Sequence, residues 1–214
     1  MSDDPHAGRP LETAGAALAD ARAAVILLHG RGSNPADMLS LARLLLPEGM
    51  AAIAPHAAGS TWYPYSFMAP LAANEPALGS ALRRVGALVE EIAAAGIAAE
   101  RTALLGFSQG ACLALEFSVR NPRRYGAVVA LSGGLIGPPG TAWPERGSLE
   151  ATPVFLGCSD VDFHIPVARV EESAAVLAGR GAAVDARIYP GMGHTVNEDE
   201  VAAARDLLAA LAKA

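Results

Sequence analysis

Short, uninterrupted apolar runs alternate along the chain with longer stretches in which apolar residues recur every three or four positions. Continuous runs rich in Val, Ile, Leu and Ala are typical of strands that are covered on both faces of a sheet. Strands are predicted at Ala24–Leu28, Ala51–Ala54, Thr102–Phe107, Ala127–Leu131, Pro153–Leu156 and Val184–Tyr189. Helices are predicted at Ala36–Leu46, Ala77–Ala95, Gln109–Arg120, Pro166–Gly179 and Glu198–Ala212. This alternation predicts an α/β domain with a mostly parallel sheet and helices on both faces.

The pattern predicts one domain over residues 23–214, preceded by a partly mobile N-terminal segment, residues 1–22, that includes His6. Ligands of such sheets bind beyond the carboxyl ends of the strands. Two loops that leave those ends are longer than a minimal connection needs, namely His56–Pro76 and Ser132–Thr152. We expect both loops to form pocket walls, and the pattern leaves no room for a large helical lid.

Composition narrows the functional class. The chain is 52% hydrophobic with a net charge of −6 and has no basic cluster, which argues against disorder and against a nucleic-acid partner. Lys213 is the only lysine, so a phosphate-loop lysine and an internal Schiff base are excluded. No apolar run approaches the roughly 20 residues of a spanning helix, and we expect no stable membrane insertion. Two cysteines without a disulfide framework and the lack of a signal-peptide pattern predict a cytoplasmic protein.

A Gly-x-Ser-x-Gly motif, Gly106-Phe107-Ser108-Gln109-Gly110, lies at the joint between a predicted strand and a predicted helix. A serine at such a joint sits on a strained turn, and the small residues two positions to either side let the chain pack closely around it. The start of the following helix offers a free main-chain N–H and the positive end of the helix dipole. These features predict that Ser108 is a nucleophile.

A nucleophilic serine needs a general base, and the chain has five histidines. Where this motif is used, the serine is followed along the chain by the acid and then by the histidine, which comes after the last strand. His194 fits that position, in a glycine-rich segment after the strand that ends at Tyr189. The acid should follow the preceding strand, where both Asp160 and Asp162 stand. An extended segment places both carboxylates on one side, so the spacing leaves the choice open.

Two other patterns suggest ligands of a different kind. Asp160-x-Asp162-x-His164 has the character of a metal site, but no second pair of ligands accompanies it, and we expect no metal and no cofactor. Gly30-x-Gly32 suggests a dinucleotide loop, but the third glycine of that motif is missing. The turn is better suited to aim the main-chain N–H of Arg31 at the carbonyl that the serine attacks.

These segments resemble the phospholipase/carboxylesterase family of α/β-hydrolases, which is related to acyl-protein thioesterases and lysophospholipases. The resemblance runs from about Val25 onward and rests on His29-Gly30-Arg31-Gly32, Trp62-Tyr63, the Ser108 motif, the segment from Asp162 to Pro166, and Gly191-Met192-Gly193-His194.

The resemblance implies a single-domain α/β-hydrolase fold with Ser108, Asp162 and His194 as the catalytic triad. It also implies an oxyanion hole made of the main-chain N–H groups of Arg31 and Gln109. Such families usually have proline directly after the acid and a His-Gly pair before it. Here Phe163 follows Asp162, and Cys158-Ser159 stands where that pair would be.

The loop after the second predicted strand concentrates aromatic residues, and we expect Trp62, Tyr63 and Phe67 to form the wall of a substrate pocket. The predicted substrates are small-molecule esters with short to medium acyl chains, with thioesters and lysophospholipids as further candidates. A non-catalytic binding protein and a dienelactone- or amide-type hydrolase are the alternatives. The pattern leaves the oligomeric state, including a homodimer, open.

Overall fold

The computed structural model describes residues 4–143 and 146–213, and its centre is a seven-stranded sheet. The strands are β1 (Leu11–Gly15), β2 (Ala23–Leu28), β3 (Met50–Pro55), β4 (Thr102–Phe107), β5 (Ala127–Leu131), β6 (Pro153–Ser159) and β7 (Ala183–Tyr189). Their spatial order is β1-β3-β2-β4-β5-β6-β7, with β1 antiparallel to β3 and every other pair parallel. The mostly parallel sheet predicted from the sequence is confirmed.

Helices cover both faces of the sheet. They are α1 (Pro35–Leu45), α2 (Leu71–Asn74), α3 (Ala77–Ala94), α4 (Gln109–Arg120), α5 (Val167–Gly179) and α6 (Glu198–Lys213). Alternate residues along β2 divide between two hydrophobic cores: Ile26 belongs to the core that includes residues of α3, α4 and α5, whereas Val25 belongs to the core that includes residues of α1 and α6. This division explains why the central strands are continuous apolar runs, since each strand buries both of its faces.

Strand β7 differs from its prediction as a fully buried strand. It lies at the edge of the sheet, and its residues are exposed or half-buried, including Ile188. Asp185 and Arg187 form an ion pair on this strand, with an N–O distance of 2.6 Å. Charged side chains on an edge strand discourage pairing with other chains, which accounts for the polar residues that interrupt the apolar pattern.

The described part of the N-terminal segment, residues 4–22, contacts the rest of the domain. Strand β1 adds to the sheet through β3. The side chain of His6 is buried: one ring nitrogen lies 2.9 Å from the carbonyl oxygen of Trp62, and the other accepts the N–H of Ala58 at 3.0 Å. Burial lowers the pKa of His6, which favours the neutral ring that these two contacts require.

Candidate active site

Ser108 occupies a sharp turn between β4 and α4. Its backbone has φ 53° and ψ −118°, a conformation that costs energy for a residue with a side chain. The two glycines of the motif are required by close packing: a Cβ on Gly106 would overlap the main chain of Gly110, and a Cβ on Gly110 would overlap the carbonyl group of Leu28. The turn therefore has the geometry of a nucleophile elbow, and it holds the Ser108 hydroxyl at the carboxyl end of the sheet.

Three of the predicted site residues come together through two hydrogen bonds. The Nε2 atom of His194 lies 2.9 Å from Ser108 Oγ, and its Nδ1 atom lies 2.6 Å from Asp162 Oδ2. If Nδ1 carries the proton, the ring donates to the carboxylate and Nε2 accepts the serine hydroxyl. The imidazole is mostly shielded from solvent and the carboxylate is fully buried, so these contacts are little screened by water.

The loop between β6 and α5 prepares the Asp162 carboxylate to be an anion. Burial by itself raises the pKa of Asp162, but hydrogen bonds from His194 and from two main-chain N–H groups outweigh that effect and hold the pKa below its usual value. The N–H groups belong to His164 and Ile165, at 2.8 and 3.1 Å from Oδ1. A carboxylate with these donors stays charged and orients the histidine ring.

Asp160, the other acid left open by the sequence, has a different contact. Its Oδ1 accepts the N–H of Gly191 at 2.7 Å, in the loop that carries His194. Nearby, the hydroxyl of Ser159 accepts the N–H of Gly193 at 3.0 Å. These two side chains tie the end of β6 to the histidine loop, so Asp160 supports the position of His194 without touching its ring.

A cavity of about 930 Å³ opens beside Ser108 and His194, and Tyr63, Phe67 and Cys112 are among the residues that line it. Trp62 does not line this cavity, which corrects its prediction as a wall residue. Its side chain is fully buried beneath the loop, where the indole N–H donates to the carbonyl oxygen of His29 at 2.8 Å. An indole that can bury its ring and satisfy its N–H is more stable in the core than at a water-filled wall.

The second long loop, 132–152, was also predicted to form a pocket wall. Among its described residues, none lines the cavity. The loop packs against α4 instead, where the buried carboxylate of Glu116 accepts the N–H of Ile136 at 2.9 Å and the indole N–H of Trp143 at 3.1 Å. Residues 144 and 145 of this prediction lie outside the described residues.

Arg31 and Gln109, the predicted oxyanion donors, both line the cavity beside Ser108. Within the described ranges, the main-chain N–H of Arg31 has no protein acceptor. The N–H of Gln109 belongs to the first turn of α4, where a helix provides no acceptor of its own. Two unpaired donors at a cavity beside a serine can stabilise a developing oxyanion.

The sequence analysis did not predict the hydrogen bonds made by the side chains of Arg31 and Gln109, or the ring contacts of His164. The side chains of Arg31 and Gln109 bind the main chain of the loop that contains Tyr63. The ring of His164 lines the cavity and lies edge-on to His194, with 4.8 Å between ring centroids. Phe163, which is 80% exposed, packs against His164 with a centroid distance of 4.2 Å. The departure from the family pattern at position 163 was the available signal for this aromatic pair.

A mostly parallel sheet with a serine elbow after a central strand, and with an acid and a histidine after later strands, defines an α/β-hydrolase. Among the residues that the structure describes, no helix combines the length and the apolar character needed to cross a membrane.

The sequence matches the Phospholipase/Carboxylesterase family over residues 15–212, and the chain belongs to that family. A crystal structure of a phospholipase/carboxylesterase from Dyadobacter fermentans is 45% identical, with a TM-score of 0.90 over 94% of this chain and 97% of that one. Acyl-protein thioesterase 1 from Eremothecium gossypii is 28% identical over 83% of each chain. Esterase YpfH from Escherichia coli is 27% identical over 86% of this chain and 81% of its own. The chain is therefore a hydrolase of the carboxylesterase and thioesterase type.

Proposed function

We propose that this protein hydrolyses small carboxylic esters through an acyl-enzyme formed on Ser108, with His194 as general base and acid and Asp162 as its orienting carboxylate. The observation that carries the proposal is the continuous hydrogen-bonded path from Ser108 Oγ through the imidazole to Asp162 Oδ2. A non-catalytic binding protein has no need of a buried, charged aspartate behind a histidine that contacts a strained serine.

In the first half of the reaction, Ser108 Oγ attacks the ester carbonyl carbon while His194 Nε2 takes the hydroxyl proton. The tetrahedral intermediate then collapses, the bond to the leaving oxygen breaks, and His194 gives its proton to the departing alcohol. In the second half, His194 takes a proton from water, the resulting hydroxide attacks the acyl group, and the proton returns to Ser108. The Asp162 carboxylate stabilises the imidazolium at both stages.

The main-chain N–H groups of Arg31 and Gln109 are assigned the role of donating hydrogen bonds to the oxyanion of each tetrahedral intermediate. Their lack of protein acceptors and their position at the cavity beside Ser108 support this role. One such donor contributes about 10²–10³ in rate in well-studied hydrolases. The reaction itself requires neither a metal nor a cofactor.

We assign binding of the substrate's acyl group to the part of the cavity that Tyr63, Phe67 and Cys112 line. A wall made of these three side chains favours short to medium acyl chains, since each methylene that it buries contributes roughly 0.8 kcal/mol of binding free energy until the wall ends. A thioester with the same acyl group would react by the same steps, and the relatives named acyl-protein thioesterase support testing one. The free, buried Cys112 and Cys158 agree with a reducing compartment, for which we propose the cytoplasm.

Replacement of Ser108 by alanine tests the proposal directly. We expect Ser108→Ala to abolish both the turnover of p-nitrophenyl butyrate and covalent labelling by a fluorophosphonate probe, because the attacking oxygen is absent. Thermal unfolding is the control for folding and should change little. Labelling that persists in this variant would contradict the serine-hydrolase mechanism.

The choice of acid is tested by a matched pair of variants, Asp162→Asn and Asp160→Asn. Asp162→Asn should lower kcat by about 10⁴, because the amide favours the wrong histidine tautomer. Asp160→Asn keeps an oxygen that accepts the N–H of Gly191, so its effect on kcat should be far smaller. A larger loss in Asp160→Asn would assign the catalytic carboxylate to Asp160.

A further inference from the structure

The two residues proposed to donate to the oxyanion come from distant parts of the chain, yet their side chains bind one short segment. This segment, residues 61–65 of the loop 56–76, is hydrogen-bonded both to the turn after β2 and to the start of α4. The positions of two main-chain donors from separate elements must agree closely for both to reach one oxygen. The segment provides a physical link between them.

Gln109 binds the segment with both atoms of its side-chain amide. Its Oε1 accepts the N–H of Trp62 at 2.9 Å, and its Nε2 donates to the carbonyl oxygen of Tyr63 at 2.8 Å. The side chain is buried, so these hydrogen bonds do not compete with bulk water. The amide thus holds residues 62 and 63 against the first turn of α4.

Arg31 binds the next two residues of the same segment. Its guanidinium donates to the carbonyl oxygens of Pro64 at 2.8 Å and Tyr65 at 2.6 Å. The same group lies 5.9 Å from the centroid of the Tyr63 ring, within the range of a cation–π contact. A planar group with several donors suits a site where two carbonyl oxygens lie side by side.

The main chain of the turn after β2 is joined to this region as well. Gly32 donates its N–H to the carbonyl oxygen of Ser60 at 2.8 Å, and the carbonyl oxygen of His29 accepts the indole N–H of Trp62. Arg31 is therefore flanked on both sides by contacts to residues 60–62. Its side chain adds the contacts farthest along the segment, at residues 64 and 65.

We propose that the side chains of Arg31 and Gln109 are positioning residues, which hold the two oxyanion N–H groups at a fixed separation by binding residues 62–65 between them. The inference rests on the proposed function and adds a second role for each residue. Because the donors are main-chain N–H groups, both are still present when either side chain is replaced. Side-chain variants therefore alter the position of a donor without removing it.

The expected kinetic effect follows from this separation of roles. Arg31→Met and Gln109→Met should each lower kcat by about 10- to 100-fold with little change in KM, because misplaced donors weaken only the charged intermediate. Arg31→Lys retains one donor for a carbonyl oxygen and should recover part of the loss. Arg205→Met, at an exposed arginine of α6, is the matched control and should behave as the wild type.

A readout specific to the oxyanion uses two ketones of equal length. 1,1,1-Trifluoro-2-octanone forms a hemiketal oxyanion with a nucleophilic serine, whereas 2-octanone binds without forming one. In Arg31→Met and Gln109→Met, the inhibition constant of the trifluoromethyl ketone should rise by the same factor by which kcat falls, and that of 2-octanone should stay unchanged. A general loss of folding or of pocket shape would weaken both ketones equally.

The ketone measurements distinguish a failure of the proposed function from a failure of the positioning role alone. If the trifluoromethyl ketone binds Ser108→Ala as tightly as the wild type, the proposed function is contradicted, and this inference with it. If tight binding depends on Ser108 but is undiminished in both methionine variants, only the positioning role is contradicted. An equal rise in the inhibition constants of the two ketones would also contradict the positioning role, because the side chains would then affect the pocket as a whole.

Discussion

The loops 56–76 and 132–152 both leave the carboxyl ends of strands, and both are held by a polar side chain of α4. The first loop is bound by Gln109 at the start of the helix and reaches the cavity. The second is bound by Glu116, seven residues farther along and thus about 10 Å down the helix axis, and none of its described residues reaches the cavity.

This difference teaches that loop length and composition do not decide which loop shapes a site. The decisive feature is the helical turn that carries the anchoring side chain. A loop anchored beside Ser108 becomes part of the site, whereas a loop anchored two turns away contributes to packing. The comparison predicts that Gln109 and Glu116 act on different properties of the protein, the first on catalysis and the second on stability.

The largest effect on stability is expected from Glu116→Gln. The carboxylate is fully buried and accepts hydrogen bonds from Ile136, Trp143 and Arg120, and an amide can serve only part of this set. We expect the free energy of unfolding, measured by urea denaturation, to fall by about 3 kcal/mol. The value of kcat/KM should be unchanged. A loss of kcat/KM at temperatures where the variant is fully folded would show that the second loop also affects the site.

An intermediate effect, on the pH dependence of the free energy of unfolding, is expected from Glu200→Gln. This variant extends the comparison to the loop that carries His194. Glu200, in the first turn of α6, is fully buried and accepts the N–H of Asn197 at 2.9 Å, and burial raises its pKa to about 7. The folded protein therefore holds a proton that the unfolded chain releases near pH 4.5. This difference stabilises the folded state at low pH, and the stabilisation is lost as the pH rises to about 7.

Glutamine does not titrate, so the variant lacks this dependence. We expect the wild type to lose about 1–3 kcal/mol of unfolding free energy relative to Glu200→Gln between pH 5 and pH 8. Urea denaturation of both proteins across that range measures the difference. Parallel stability curves would mean that the Glu200 carboxyl titrates normally in the folded protein.

The smallest effect concerns the cavity wall itself. Phe67 is nearly buried and lines the cavity, so Phe67→Ala should lower kcat/KM by about 10-fold for a hexanoate ester, which loses contact for roughly two methylenes. An acetate ester should be affected much less. Trp62→Phe is the control, since Trp62 lies beneath the loop, and it should affect both esters equally. Equal losses in Phe67→Ala would assign Phe67 to packing alone.

The central part of the fold was predictable because each central strand is an apolar run covered on both faces, and β4 and β5 begin and end where predicted. Strand β1 was missed because its half-exposed sequence, Leu-Glu-Thr-Ala-Gly, has no apolar run, and it exists through its pairing with β3. Strand β7 was predicted to be buried although Asp185 and Arg187 interrupt its apolar pattern, and these two charged residues were the available signal for a strand at the edge of the sheet.

The candidate site could be predicted as far as chain order and strand ends allow. These two features brought Ser108, His194 and an aspartate together, but they could not distinguish Asp160 from Asp162. The distinction comes from the turn after β6, where main-chain N–H groups close on the Asp162 carboxylate. The side-chain contacts of Arg31 and Gln109 depend on a loop without a periodic pattern, so no sequence signal indicated them. The catalytic roles stay predictions until the variants are measured.

The two hydrogen bonds between Gln109 and the loop 56–76 have a consequence for synthesis on the ribosome. His6, which binds Ala58 and Trp62 in the same loop, is translated before it. Gln109 follows Trp62 by 47 residues, and until it emerges the N–H of Trp62 and the carbonyl oxygen of Tyr63 lack the partner that they have in the folded protein. The part of the cavity that Tyr63 lines therefore gains its contacts with Gln109 only after the segment that carries Ser108 has left the exit tunnel.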